Sequence, residues 1–407
     1  MLRLLLLTKQ LIYYPEQPPS GLYKRLTMFI DAMSQIADLN ILFYINPEIE
    51  CSDELISELQ RRYAHHWKTN IRIYVCPIRE YRDGTPVSKW LSYARGTGNF
   101  FDQRYYYETS GREQTNALES CLENKPDAIF SHRLATMCPL LLTKKTLPPV
   151  FFDMDDIEHV VLRRFIKKGN LLKKLQYLLL PALYKGEARA IRLAFKTFVC
   201  SESDRRHLAE DFKSDGIVTI PNAVKIPELR HRPSDPAILF LGSYFTQNVD
   251  AARYLATTIW PLIIRRMPEA RLFIAGLTKE QLGSGIRYSA GIEVLGFVDN
   301  LDELYAKSRF MAAPILVGGG TRFKIIEAAS YGKPTVSTTI GAEGIDLENE
   351  TEILLRDNPG DFAEACLKLL RDSELCNEIG MRARSKVIMK YDKNNVVRTI
   401  RENFSDI

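Results

Sequence analysis

Short β-branched or aromatic runs alternate along this chain with longer stretches of helical character, a pattern that predicts parallel sheets joined by crossover helices. In the first half the runs are Leu2 to Leu7, Asn40 to Ile45, Ile71 to Cys76, Asp127 to Ser131, Val150 to Asp153, Lys196 to Cys200 and Gly216 to Ile220. In the second they are Ala237 to Gly242, Arg271 to Gly276, Ile292 to Gly296, Phe310 to Pro314, Pro334 to Thr338 and Glu352 to Leu355. Each set predicts one doubly wound sheet. Between the sets, IPNAVKIPELRHRPSDPA has four prolines and no periodic apolar face, and reads as a linker. The expected domains are 1–222 and 223–391, with a last helix at about 392–407 packing back on the first, and with the two domains facing a central cleft.

Length and composition agree with this division. A chain of 407 residues exceeds what one core usually holds. Hydrophobic residues make up 45% and charged residues 26%, the balance of a soluble globular protein. No run approaches the roughly 20 apolar residues of a membrane span, and the leucines of MLRLLLLTKQ stop at strand length, so they read as a first strand rather than a signal. The seven cysteines are odd in number and lack any Cys-x-x-Cys pair, which points to a reducing cytoplasm and away from structural zinc. Among six histidines only His65 and His66 are adjacent, so no metal-ligand spacing is visible.

The most informative stretch is GGGTRFKIIEAASYGKPTVST, from Gly318 to Thr338. Its glycines, Gly319 and Gly320 among them, let the backbone approach a ligand, and a helix beginning near Thr321 would point unpaired N–H groups and its positive dipole end outward. Arg322 and Lys324 add cations at that end, where the dipole alone favours carboxylates, so a phosphate is the expected partner. One turn deeper, Glu327 is an acceptor suited to the two hydroxyls of a ribose. Diphosphate and ribose together mean a nucleotide. The preceding run, Phe310 to Pro314, supplies the strand end at which open parallel sheets bind ligands.

The motifs LFLGSYFTQNVDA, RLFIAG, VLGFVDNLDELYAKS, the glycine block and GAEGI occur in that order from Ile238 to Ile345. Together they resemble the donor half of glycosyltransferase family 4, the group 1 enzymes of the GT-B fold, and SGLYKRL, PDAIFSH, GEARAIRLAFKTFVCSESD and VTIPNAV in the first half resemble its acceptor domain. The resemblance implies an α/β fold of two Rossmann-like domains. It also implies transfer of a sugar from a nucleotide-diphosphate sugar, a co-substrate rather than a bound cofactor, to a hydroxyl acceptor, with retention and without a metal. Gly21, Gly242, Gly319, Gly320, Thr321, Arg322, Lys324 and Glu327 are the expected donor contacts and His132, Arg322 and Lys324 the expected reaction residues, with the ribose role of Glu327 also implied by the resemblance. Two positions depart from the family pattern: Gly319 stands where the first glutamate of the two-glutamate motif is expected, and Ser243 and Asn248 stand where an arginine and a lysine often follow Gly242. Arg322 and Lys324 read as replacements for that missing charge. A nucleotide-sugar epimerase and a noncatalytic nucleotide-sugar-binding protein remain the other readings.

In the first half, Gly21 precedes Lys24 and Arg25 at the start of a helix, and these cations are expected to face the diphosphate. His132, at the end of the fourth run, is a candidate to bind a sugar hydroxyl or deprotonate the acceptor. Asp153, Asp155 and Asp156 in FFDMDD invite a metal reading, but the nucleotide block lies in the other half, so a structural role is expected and no metal site is assigned. From His159 to Lys196 ten cations face one acid, Glu187, and the interleaved leucines suit an anionic membrane surface on the cytoplasmic side. Arginines and aromatics also alternate from Trp90 to Ser110, which suits a glycan or lipid-linked acceptor. No nucleic-acid-binding motif accompanies these segments.

Overall fold

The computed structural model describes residues 2–16, 20–79, 107–167, 180–229, 236–283 and 290–405. They form two compact units, one of residues 1–220 with 397–407, the other of residues 221–396.

The first unit is built on a seven-stranded sheet: β1 (Leu2–Thr8), β2 (Ala37–Ile45), β3 (Ile71–Pro77), β4 (Ala128–His132), β5 (Val150–Asp155), β6 (Lys196–Val199) and β7 (Ile217–Thr219). Every pairing is parallel, in the spatial order β3-β2-β1-β4-β5-β6-β7. Parallel neighbours cannot be joined by a tight turn, so helices cross over both faces and the central strands lose all contact with water. Leu4 to Leu7 of β1 are each fully buried, which is why that strand is a continuous leucine run rather than an alternating one. β2 starts at Ala37 rather than Asn40, because Ala37 and Leu39 pair with Leu2 and Leu4 on the neighbouring strand. The final segment closes this unit: Phe404 packs against Phe151 with ring centroids 4.3 Å apart, and against Phe130 and Phe198.

The second unit holds six parallel strands: β8 (Ala237–Leu241), β9 (Arg271–Ala275), β10 (Ile292–Gly296), β11 (Phe310–Ala313), β12 (Thr335–Ser337) and β13 (Leu354–Leu355), in the order β10-β9-β8-β11-β12-β13. All thirteen runs marked in the sequence are strands. Part of the stretch read as a linker is structured: Val224 is buried, its N–H donates to the Tyr391 carbonyl at 2.9 Å, and its carbonyl accepts from the Lys393 N–H at 3.0 Å. Residues 230–235 of that stretch lie outside the described residues.

Each sheet reverses direction once. In the first unit the chain leaves β1 towards β2 but leaves β4 towards β5. In the second it leaves β8 towards β9 and β11 towards β12. Connections that diverge from adjacent strands leave a crevice at the strands' carboxyl ends. The chemistry-bearing residues of each unit gather at these points.

Candidate functional site

In the second unit the crevice lies between the loop after β8 and the loop after β11. Gly242 follows β8, and a side chain there would meet Asn248 and Phe240 at 3.0 Å. Gly276, after β9, has φ of +83°, and a Cβ on it would lie 2.5 Å from the Gly242 carbonyl, so the two loops touch backbone to backbone. After β11, Gly318 and Gly320 have φ of +146° and +61°, conformations that favour glycine. They turn the chain into the helix Phe323–Ser330, with Arg322 as its N-cap. The helix therefore starts two residues later than expected from Thr321. Thr321 is buried, and its hydroxyl accepts from Asn222 Nδ2 at 2.7 Å.

The two cations of the block take different directions. Arg322 Nη1 donates to the Gly319 carbonyl at 2.7 Å and to that of Gly320, so its guanidinium folds back over the glycine turn. This differs from the outward pair of cations expected from the sequence, because a glycine turn with positive φ exposes carbonyls that need a donor. Lys324 points towards β8: its Nζ donates to Asn248 Oδ1 at 2.8 Å and lies 5.1 Å from the centre of the Phe240 ring. Asn248 is held in turn, its Nδ2 donating to the Ser243 carbonyl at 2.8 Å. The lysine head thus stands beside Asn248, in the first turn of the helix Thr246–Tyr254 that follows β8. Burial, and then Arg322, lower the Lys324 pKa to about 7. A polyanion bound at this helix end would restore its charge.

Glu327 follows one turn later, partly buried, and accepts from Tyr305 Oη at 3.4 Å. Tyr305 is fully buried and stacks on Tyr331 with centroids 4.2 Å apart. Burial, and then Glu327, raise the Tyr305 pKa well above its usual value, so its hydroxyl remains a donor and orients the carboxylate. Tyr305 and Asn222 carry no local signal as site residues, since each acts through a partner distant in the chain.

In the first unit, His132 ends β4 and is fully buried. Its Nδ1 lies 3.1 Å from Oδ2 of Asp153, its neighbour on β5. A carboxylate in that position accepts, so Nδ1 carries the proton and Nε2 the lone pair. Nε2 is buried and has no hydrogen-bond partner among the described residues. Burial, and then Arg133 and Arg25, push the imidazole pKa well below its usual value, so His132 is neutral.

Asp153 also receives Arg25, whose Nη2 donates to Oδ1 at 2.6 Å and Nε at 3.0 Å, while Arg25 Nη1 donates to the Ile220 carbonyl at 2.9 Å. Burial works against the Arg25 charge, and Asp153, Cys200 and Asp155 together more than offset it. The expectation that Arg25 faces a diphosphate is therefore corrected. It lies on the buried face of the helix Gly21–Met33, alongside Leu26, Phe29 and Ile30, and Asp153 is its charge partner. Gly21 is the first residue of that helix, partly buried; residues 17–19, just before it, lie outside the described residues. The backbone is strained nearby: Arg133 and Asp155, which follow β4 and end β5, have φ of +70° and +57°. Of the other carboxylates of FFDMDD, Asp155 also lies near Arg25, at 3.6 Å, and Asp156 lies 3.7 Å from Arg133.

Of the basic segment, the helices Glu158–Lys167 and Leu180–Leu193 are described and residues 168–179 are not; residues 90–106 of the aromatic segment likewise lie outside the described residues. Among the described residues no helix is long and apolar enough to cross a membrane.

Residues 235–372 match the family model described as "Glycosyl transferases group 1". An uncharacterised 44.6 kDa protein of the cps region of Klebsiella pneumoniae is 21% identical over 248 residues, which are 58% of this chain and 63% of that protein. Among solved structures, a TarM variant from S. aureus, held with UDP, α-GlcNAc-glycerol and fondaparinux, superposes with a TM-score of 0.67 at 14% identity, covering 100% of both chains. Sucrose-phosphate synthase from Thermosynechococcus elongatus gives 0.69 at 12% identity over 100% of this chain and 99% of its own. HepE from Anabaena, in complex with UDP-glucose, gives 0.64 at 12% over 100% of both. The chain therefore has the GT-B fold of two Rossmann-like domains, and its residues 235–372 are similar to the group 1 glycosyl transferases.

Proposed function

We propose that this protein is a glycosyltransferase that moves a sugar from a nucleotide-diphosphate donor to a hydroxyl of a growing glycan, either a polysaccharide or a lipid-linked saccharide. The observation that carries the reading is the meeting of Lys324 and Asn248 between the two diverging loops of the second unit, at the N-terminus of the helix that also bears Glu327. Cleaving a glycosyl–phosphate bond leaves negative charge on the departing diphosphate. The first-turn N–H groups of that helix and the Lys324 ammonium receive this charge without reorganising. Glu327, oriented by Tyr305, accepts from the ribose hydroxyls. In the first unit, His132 Nε2 offers a lone pair to a hydroxyl, and the bond from Nδ1 to Asp153 steadies the positive charge that would develop on proton transfer.

In this reading the reaction retains anomeric configuration and needs no metal for the transfer step, since the cationic side chains and the helix end take the charge. UDP-sugars are the first donors to try, because TarM and HepE were captured with uridine nucleotides. The Klebsiella relative favours a polysaccharide acceptor. The basic helices Glu158–Lys167 and Leu180–Leu193 suit a peripheral position on the inner face of a membrane.

The test is donor turnover. Purified protein is incubated with UDP-, GDP-, ADP-, dTDP- and CMP-sugars, with and without a pool of saccharide and lipid-linked acceptors, and free nucleotide is measured. Release that requires both donor and acceptor supports the transferase. Release or isomerisation of the donor alone would favour an epimerase or hydrolase. Tight binding without turnover under any acceptor would favour a noncatalytic role.

A further inference from the structure

The histidines show no metal-ligand spacing along the chain, yet the fold of the first unit brings two of them together with a carboxylate. His159, His207 and Asp211 each offer a ligand atom, and these atoms all lie within 4.8 Å of one another. We propose that these three side chains form a site for a divalent transition metal of the zinc class, apart from the donor chemistry of the second unit. His207 and Asp211 are four residues apart on the helix Glu202–Phe212, so both project from the same face. His159 comes from a different helix, Glu158–Lys167, and its ring lies 6.2 Å from that of His207, centroid to centroid, with 29° between planes.

The buried acid beneath this cluster supports the assignment. Glu187, the single acid among the ten cations of its segment, is fully buried on the helix Leu180–Leu193. It accepts from the His159 backbone N–H at 3.1 Å and from His159 Nδ1. A carboxylate on Nδ1 places the proton there and leaves the Nε2 lone pair available, the arrangement by which carboxylates orient and strengthen metal-bound imidazoles. Tyr184 packs edge-on against the same ring at 5.2 Å, so the imidazole is held from two directions.

Two imidazoles and one carboxylate suit zinc, cobalt or nickel better than magnesium or calcium, and leave a fourth position for water. Ligand atoms around tetrahedral zinc stand about 3.3 Å apart. His207 and Asp211, with side chains 45% and 35% exposed, have room to close the remaining distance by rotation. A bound ion would staple two helices that lie some 40 residues apart in the chain, and would stabilise the folded form in proportion to its affinity.

Untagged, chelator-stripped full-length protein is titrated with Co²⁺ and followed by visible absorption, then by displacement with Zn²⁺. The expected result is one equivalent of Co²⁺ with the intense d–d bands of a four-coordinate site, displaced by Zn²⁺, and a melting temperature raised by Zn²⁺ but not by Mg²⁺. His207→Ala and Asp211→Asn, at exposed positions that leave the core intact, abolish both signals, and Glu187→Gln weakens Co²⁺ binding about 10- to 100-fold. Absence of a stoichiometric spectrum, or one that survives both ligand substitutions, overturns the site and leaves two separate pairs, His159 with Glu187 and His207 with Asp211.

Discussion

Lys324 Nζ donates to Asn248 Oδ1 over 2.8 Å, joining the helix that follows β11 to the helix that follows β8. The bond spans 76 residues of chain and puts a cation where the second strand-end loop has none of its own. The neutral amide partner brings no negative charge, so a bound polyanion is what would restore the full charge of the lysine.

Lys324 falls from its ordinary pKa of 10.5 to about 7 through burial and then Arg322. Between those values the unfolded chain holds a proton that the folded chain releases, so the stability contribution of this group rises with pH from about 7 to 10.5 and is level below that window. Lys324→Met is therefore expected to raise the melting temperature of the ligand-free protein at pH 7.5 while weakening binding of the donor's nucleoside diphosphate about tenfold or more. Scanning fluorimetry and calorimetry read the two effects. Calorimetry at pH 8 in buffers of different ionisation enthalpy should also detect proton uptake on binding, absent in the variant.

Glu327→Ala is expected to cost about 1–3 kcal/mol of nucleotide affinity, the range for a hydrogen bond to a charged group. Tyr305→Phe, which removes only the hydroxyl that orients it, should cost about 1 kcal/mol. Equal affinity of nucleoside and deoxynucleoside diphosphates for the intact protein would remove Glu327 from the ribose.

Because burial keeps His132 neutral, transferase activity should show no acid limb from this residue in the range of an ordinary imidazole. His132→Ala should lower kcat by about 10²- to 10⁴-fold with much smaller change in donor affinity. An ionisation between pH 6 and 7 that disappears in this variant would contradict the buried, neutral assignment.

Asp153→Ala leaves the Arg25 guanidinium buried without its carboxylate, and an expected loss of about 3–5 kcal/mol should appear in urea unfolding. Phe404→Ala empties the aromatic cluster of Phe130, Phe151 and Phe198 and is expected to cost about 3–5 kcal/mol, read in the same way.

The strands were legible because buried parallel strands must be apolar on both faces, so even two-residue β13 appeared as a run around Leu354 and Leu355. The glycine block was legible because its turn, helix start and Glu327 are consecutive in the chain, and their chemistry is local. What lay beyond the sequence was partner choice. Arg25 reads as a first-turn cation, and only β5, paired beside β4, brings Asp153 to it across 128 positions. Arg322 and Lys324 look alike in sequence, but the carbonyls freed by Gly319 and Gly320 draw one inward while Asn248 draws the other across the crevice. His159 and His207 were invisible as a pair for the same reason, since their helices meet only after the sheet has formed.

The Thr321 hydroxyl, which ends the glycine turn, is occupied by Asn222, the second residue of its unit. The glycine turn before the helix Phe323–Ser330 is thereby anchored to the stretch where the chain first arrives in that unit. Tension in that arriving stretch would reach the glycines through the Asn222 side chain, and anything that stiffened the glycines would brace the arriving stretch in return.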